Sequence, residues 1–162
     1  MVVLAPKSML RHPRCVSSLE ELAEGRFQPA LDDASADPGR IRRIVLTSGK
    51  LYYDLLKGKE DAKVDHVALV RLEQLYPVPA AELARILARY APAAELVWAQ
   101  EEPQNMGPWR FIREQFLDAA IQDPAGRVPR YLGRDASASP APGSHKVHVL
   151  EQEAIVRQAI AP

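Results

Sequence analysis

Cysteine, net charge and long apolar runs are what this sequence has least of. One cysteine, Cys15, among 162 residues leaves no internal disulfide to form, which points to a reducing setting, a bacterial cytoplasm or a mitochondrial matrix, and the cytoplasm is the expectation taken. The 21 basic residues balance the 21 acidic ones, so no field of one sign exists to draw nucleic acid or an anionic membrane, and neither is expected as a partner. Nothing approaches the roughly 20 apolar residues that a membrane-spanning helix needs. Val2-Val3-Leu4 is too short for the apolar core of a signal peptide. No GxGxxG occurs, and Ile44 stands where the first glycine of a phosphate loop ending in Gly49-Lys50 would be, so both nucleotide fingerprints are missing. The length suits one domain of ordinary size with a tail.

What is present is an alternation of apolar runs and helix-like stretches, the pattern of a layered α/β domain with a mostly parallel sheet. Candidate strands are Ile44–Thr47, Val67–Val70, Leu96–Ala99 and Val128–Leu132, short and continuous as strands covered on both faces should be. From Ala80 onward Leu83, Ile86, Leu87 and Tyr90 recur at the spacing of one buried helix face, with Pro79 just before it. Pro108 opens another helix, whose Trp109, Ile112 and Phe116 share a face, and Ile155, Val156, Ala159 and Ile160 form an inward stripe near the end. Ser18-Leu19-Glu20-Glu21 has the form of a capping box. Met1 to Leu4 reads as a strand without a partner, and Phe27 to Gly39 as loop or linker. The expected organisation is residues 1–39 as the exit of a preceding domain plus linker, and 40–162 as the domain proper. Gly58, in Lys57-Gly58-Lys59-Glu60, suggests a loose end to the helix after Gly49.

Ligands of open α/β sheets gather where the strands end, so the following loops hold the candidate site residues. Ser48-Gly49-Lys50 turns a strand sharply into a helix and leaves free amides there. Two readings stand, an anion site or a plain corner with Lys50 solvated. Glu101-Glu102 could divide acid and base work, but adjacent strand residues point to opposite sides, which favours a structural role. His145 and His148 have helical ligand spacing without an obvious third ligand. Tyr52 and Tyr53 read as packing residues.

The same loops carry a family resemblance. SGKLYYDLL, VALVRLEQLYPVP, VWAQEEPQNMGPW and YLGRDASASPAPGSHKVHVLEQE, in that order and spacing, resemble the C-terminal domain of the decarboxylating, thiamine-diphosphate-dependent component of 2-oxoglutarate dehydrogenase. LAPKSMLRHP resembles the exit of the preceding pyrimidine-binding domain. The resemblance implies a three-layer α/β/α sandwich of transketolase C-terminal type, its five-stranded sheet mostly parallel with one antiparallel strand. It implies a parent that decarboxylates 2-oxoglutarate with thiamine diphosphate and magnesium and passes succinyl to a lipoyl-bearing succinyltransferase. It also implies a homodimer, in which this domain packs beside the remaining domains of its own chain. No Gly-Asp-Gly for the diphosphate and magnesium occurs, so no cofactor and no catalytic residue are expected in the chain itself.

Regulation is the sharper role that the resemblance implies, since family members bind acetyl-coenzyme A or AMP near this domain. Ser48, Lys50, Arg71, Arg134 and Ser139 are the candidate phosphate contacts, against the alternative of exposed or interdomain charges. Glu101 or Glu102 would cap the following helix or pair across the dimer, Asn105 would serve the turn before it, and His148 would position the start of the last helix. A purely structural domain, or the matching domain of a 2-oxoadipate dehydrogenase or a 2-oxoglutarate decarboxylase, are the alternatives.

Overall fold

Apolar runs without polar alternation need cover on both faces, and the chain supplies it with helices above and below one sheet. The computed structural model describes residues 2 and 5–161. Its strands are β1 (Ala30–Leu31), β2 (Arg43–Thr47), β3 (Val67–Leu72), β4 (Glu95–Pro103) and β5 (Arg130–Arg134). They lie in the order β1-β3-β2-β4-β5, β1 antiparallel to β3 and the rest parallel. The helices are α1 (Leu19–Glu24), α2 (Leu51–Asp61), α3 (Ala80–Leu87), α4 (Trp109–Leu117) and α5 (His145–Ile160). This is the expected α/β sandwich.

Strand alternation divides the core in two. Ile44, Leu46, Val70, Leu96 and Trp98 face α3 and α4, where Leu83, Ile86, Leu87, Ile112 and Phe116 meet them as the periodicity requires. Val45, Leu69, Val97, Ala99 and Leu132 face α2 and α5, where Leu55, Ile155 and Ala159 complete the layer. Burying each of these larger side chains is worth roughly 1.5–3 kcal/mol. At α1 the Ser18 hydroxyl accepts from the Glu21 amide at 3.1 Å and the Glu21 carboxylate accepts from the Ser18 amide at 2.8 Å, so the capping box is real.

Several boundaries differ from the sequence reading. The antiparallel strand comes from inside the stretch read as linker. Ala30 and Leu31 pair with Leu72 and Arg71, and the two aspartates that follow fasten them. Asp32 accepts from Arg89 and Tyr90, while Asp33 takes Lys59 at 2.6 Å and the Leu69 amide at 3.0 Å. β4 runs on through Gln100, Glu101 and Glu102, β3 includes Arg71, and β5 includes Gly133 and Arg134, all of which read as loop. Polarity signals a strand end only when the side chains lack partners within the fold, and here Arg71, Gln100, Glu101 and Arg134 have them. The strand reading of the N-terminus falls on Met1, Val3 and Leu4, outside the described residues.

Gly58 does not loosen α2, which continues to Asp61. It lies where α2 crosses α5: a Cβ built there would come within 2.3 Å of Val156 Cγ1. The missing side chain sets how closely the two helices approach.

Candidate functional site

At the carboxyl end of the sheet, on the face carrying α2 and α5, polar side chains form a connected row. Gly49 turns β2 into α2 with φ +70°, a conformation that suits glycine. The Lys50 ammonium, placed by that corner, donates to the Glu101 carboxylate of β4. Gln152 of α5 donates to the same carboxylate at 3.2 Å and to Asp54 of α2 at 2.9 Å. Lys50 is therefore half-buried and paired rather than free, and Glu101 spends its charge within the chain rather than on the next helix.

Arg71 lies at the end of β3 with its guanidinium 4.4 Å from the centre of the Tyr52 ring and 5.6 Å from that of Tyr53, and it pairs with Glu73 at 2.7 Å. The Arg134 side chain, at the end of β5, is 9% exposed and sits 2.9 Å from Glu151 and 2.8 Å from His148 Nδ1. An arginine only donates, so the His148 ring accepts there and carries its hydrogen on Nε2. His148 lies inside α5 rather than ahead of it, because the helix begins at His145.

The proposed phosphate contacts thus share an end of the sheet, but not a pocket. Arg134 and Ser139 line one cleft of about 590 Å³, together with Ser137 and Glu151. Arg71 lines another, about 470 Å³, with Arg14, Cys15 and Tyr53. Ser48 and Lys50 line neither. The Ser139 hydroxyl donates to the Ala141 carbonyl at 2.8 Å.

The most heavily bonded polar group was missed in the sequence. Gln100 is 3% exposed, and its Oε1 accepts from the Trp98 indole at 2.9 Å and from the Trp109 amide at 3.0 Å. Its Nε2 donates to the Glu102, Pro103 and Met106 carbonyls at 3.2, 3.2 and 2.8 Å. The free amide at the start of α4 is therefore met by Gln100, not by the neighbouring glutamates. A glutamine before two glutamates carries no periodic signal. Its only hint was polarity at the end of an apolar run.

Glu102 turns to the opposite side from Glu101, as alternation requires, and its side chain lies beside Gly107, where an added Cβ would meet Glu102 Cβ at 3.1 Å. Asn105 clamps the two loops: its amide donates to the Ser137 carbonyl at 2.9 Å and its carbonyl accepts from the Ser137 amide at 3.0 Å. Tyr131 adds a bond from its hydroxyl to the Arg134 carbonyl at 2.6 Å.

Among the described residues, every group whose pKa departs clearly from its ordinary value moves away from neutrality. Burial raises the Asp33 carboxyl, but Lys59, Ser35 and the Leu69 amide together hold it below the usual range. Glu95 and Asp123 are likewise held low against burial, by Arg130 and Arg43 and by Arg127. Burial raises Tyr131 to about 12, helped by Glu102 and Asp135, and raises Tyr53 to about 12, helped by Cys15. None of these shifts readies a general acid or base for work near pH 7. Among the described residues no group of three or more His, Cys, Asp or Glu is set to hold a metal ion. No helix among them is long and apolar enough to cross a membrane.

Comparison with known proteins agrees with these motifs. The family described as 2-oxoglutarate dehydrogenase C-terminal matches residues 16–160. The 2-oxoglutarate dehydrogenase E1 component of Azotobacter vinelandii is 42% identical over 98% of this chain and 17% of its own length. The E1 components of Haemophilus influenzae and Bacillus mycoides are 41% and 40% identical, each over 99% of this chain and 17% of their own length. The chain thus spans 17% of the length of these relatives.

Proposed function

Because the chain belongs to the 2-oxoglutarate dehydrogenase C-terminal family, we propose that it works as the C-terminal α/β domain of an E1 component. The intact enzyme would decarboxylate 2-oxoglutarate with thiamine diphosphate and magnesium and pass succinyl to a lipoyl-bearing succinyltransferase. This domain would brace the dimer and the cofactor-bearing domains without performing the chemistry. The unit would occupy 40–162 together with the strap that supplies β1, preceded by the exit of a pyrimidine-binding domain.

The observation that carries the bracing role is how the polar groups at the carboxyl end are used. Lys50, Arg71 and Arg134 each meet a carboxylate, and Gln100 and Asn105 spend their amides holding loops. Such a lattice shapes a rigid surface. The N-terminal arm beside it leaves Leu10, Val16, Leu19, Leu22 and Phe27 67–81% exposed, apolar area suited to cover by another domain or a second copy.

The test is turnover and association. The purified chain given 2-oxoglutarate, thiamine diphosphate and magnesium is expected to release no carbon dioxide, and to self-associate on sedimentation in a way that Leu19→Asp with Leu22→Asp reduces. Turnover by the chain alone would overturn the reading.

Effector binding is a second reading, favoured by the cleft in which Arg134 and Ser139 meet. Acetyl-coenzyme A or AMP would have to draw Arg134 from Glu151. Calorimetry should then show weak binding that Arg134→Lys reduces and Lys50→Ala leaves intact. Heats unchanged by Arg134→Lys would remove that reading.

A further inference from the structure

The basic side chains at this end of the fold divide into two kinds. Lys50, Arg71 and Arg134 are closed by carboxylates. Arg110 and Arg113, in the first turns of α4, are exposed and take no hydrogen bond or ion pair from any described residue, although both line a cleft of about 620 Å³. They stand three residues apart, the spacing that puts two side chains on one helix face.

The walls of this cleft are held in place. Trp109, its buried edge, is fixed through its amide by Gln100, and packs 5.3 Å from Tyr131 between ring centres. The opposite wall, at Ala136, belongs to the loop that Asn105 clamps through Ser137. Gln104 adds an exposed amide at the rim. Glu114 also lines the cleft, one carboxylate against two guanidiniums, so the charge there stays positive. The cleft opens at the carboxyl end of β4, where ligands of open α/β sheets collect.

We propose that this cleft is an oxyanion site that takes a phosphate-class ligand, free phosphate or a phosphate ester, through Arg110 and Arg113. Two planar guanidiniums without internal partners can each present paired N–H donors to phosphate oxygens, and neither has to leave a carboxylate to do so. The fixed walls reduce the ordering that binding would otherwise demand. The site shares no residue with the effector reading above, and its failure would leave that reading untouched.

The test titrates the 162-residue chain with pyrophosphate, and separately with inorganic phosphate, at constant ionic strength, following the arginine side-chain N–H signals by NMR. Saturable shifts at Arg110 and Arg113 are expected, with affinity falling about tenfold in Arg110→Ala and in Arg113→Ala. Lysine at both positions should recover part of the loss, because charge returns without the fork. Arg157→Ala, which removes an exposed cation elsewhere, should change little. A glucose 6-phosphate arm separates the sources: tighter binding than phosphate identifies an ester ligand, equal binding free phosphate. Absence of saturation, or an equal loss in Arg157→Ala, would overturn the proposal. Because Arg110 and Arg113 are both exposed, an unchanged circular dichroism melt for their variants ties any loss to the site.

Discussion

Asp33→Ala should be among the most damaging single changes outside the apolar core. The Asp33 and Lys59 side chains are 9% and 10% exposed and meet at 2.6 Å, and the same carboxylate oxygen accepts the Leu69 amide at 3.0 Å. Removing the aspartate strands a nearly buried ammonium and a strand amide, and frees β1 from α2. Breaking a buried pair from one side typically costs about 3–5 kcal/mol. The residual exposure lets water reach Lys59, so about 3 kcal/mol is the expected loss. Against a total stability of roughly 5–15 kcal/mol, that is enough to move a urea midpoint by about 1–3 M at an m-value of about 1–3 kcal/mol/M.

Removing both charges in Asp33→Ala with Lys59→Met should cost less than Asp33→Ala alone, because no uncompensated charge remains. The pH dependence follows from the depressed Asp33 carboxyl. A folded-state pKa below the unfolded value of about 3.9 adds stability that is present above that value and lost as pH falls through the folded one. The gap between the parent chain and Asp33→Ala should therefore be full at pH 7 and begin to narrow below about pH 4, shrinking further as pH falls through the folded-state pKa. Urea titrations at pH 7 and pH 3 measure both. A loss under about 1 kcal/mol at pH 7, the range of exposed pairs, would refute the reasoning.

Gln100→Leu leaves the Trp109 amide, the Trp98 indole and three carbonyls without their partner, and is expected to cost about 2–4 kcal/mol, read by urea unfolding. Hydrogen exchange should rise through residues 101–109 ahead of the rest of the sheet. Gly58→Ala tests the α2–α5 crossing. Helix propensity alone would stabilise by about 1 kcal/mol, but the clash with Val156 should reverse the sign, for a net loss of about 1–2 kcal/mol by thermal melt. Val156→Ala, costly alone, should become nearly neutral in the Gly58→Ala background.

Much of the fold was legible because its signals are local. Ser18 and Glu21 cap α1 within one turn, Pro79 and Pro108 stand just ahead of α3 and α4, and Leu83, Ile86 and Leu87 reach the core by helical spacing alone. The runs of β2, β3 and β4 are apolar because both faces are covered, and that shows in any short window. The site was legible only as a list. The loops at the strand ends named Lys50, Glu101, Arg134 and Asn105, but not who would hold whom.

Partnership at long range belongs to the tertiary structure. Ala30 and Leu31 are a strand only because β3, some forty residues on, offers its edge, and Asp33 is buried only because Lys59 rises from α2 to meet it. Lys50 is spent because β4 brings Glu101 within reach, while Arg110 and Arg113 remain open because no described carboxylate pairs with them. Periodicity and caps are properties of a few consecutive residues, so the sequence by itself determined the helices, the central strands and the family. Charge neutralisation depends on which side chains distant segments bring within a few ångströms, and only the folded sheet decided which cations were used up and which were left for a ligand.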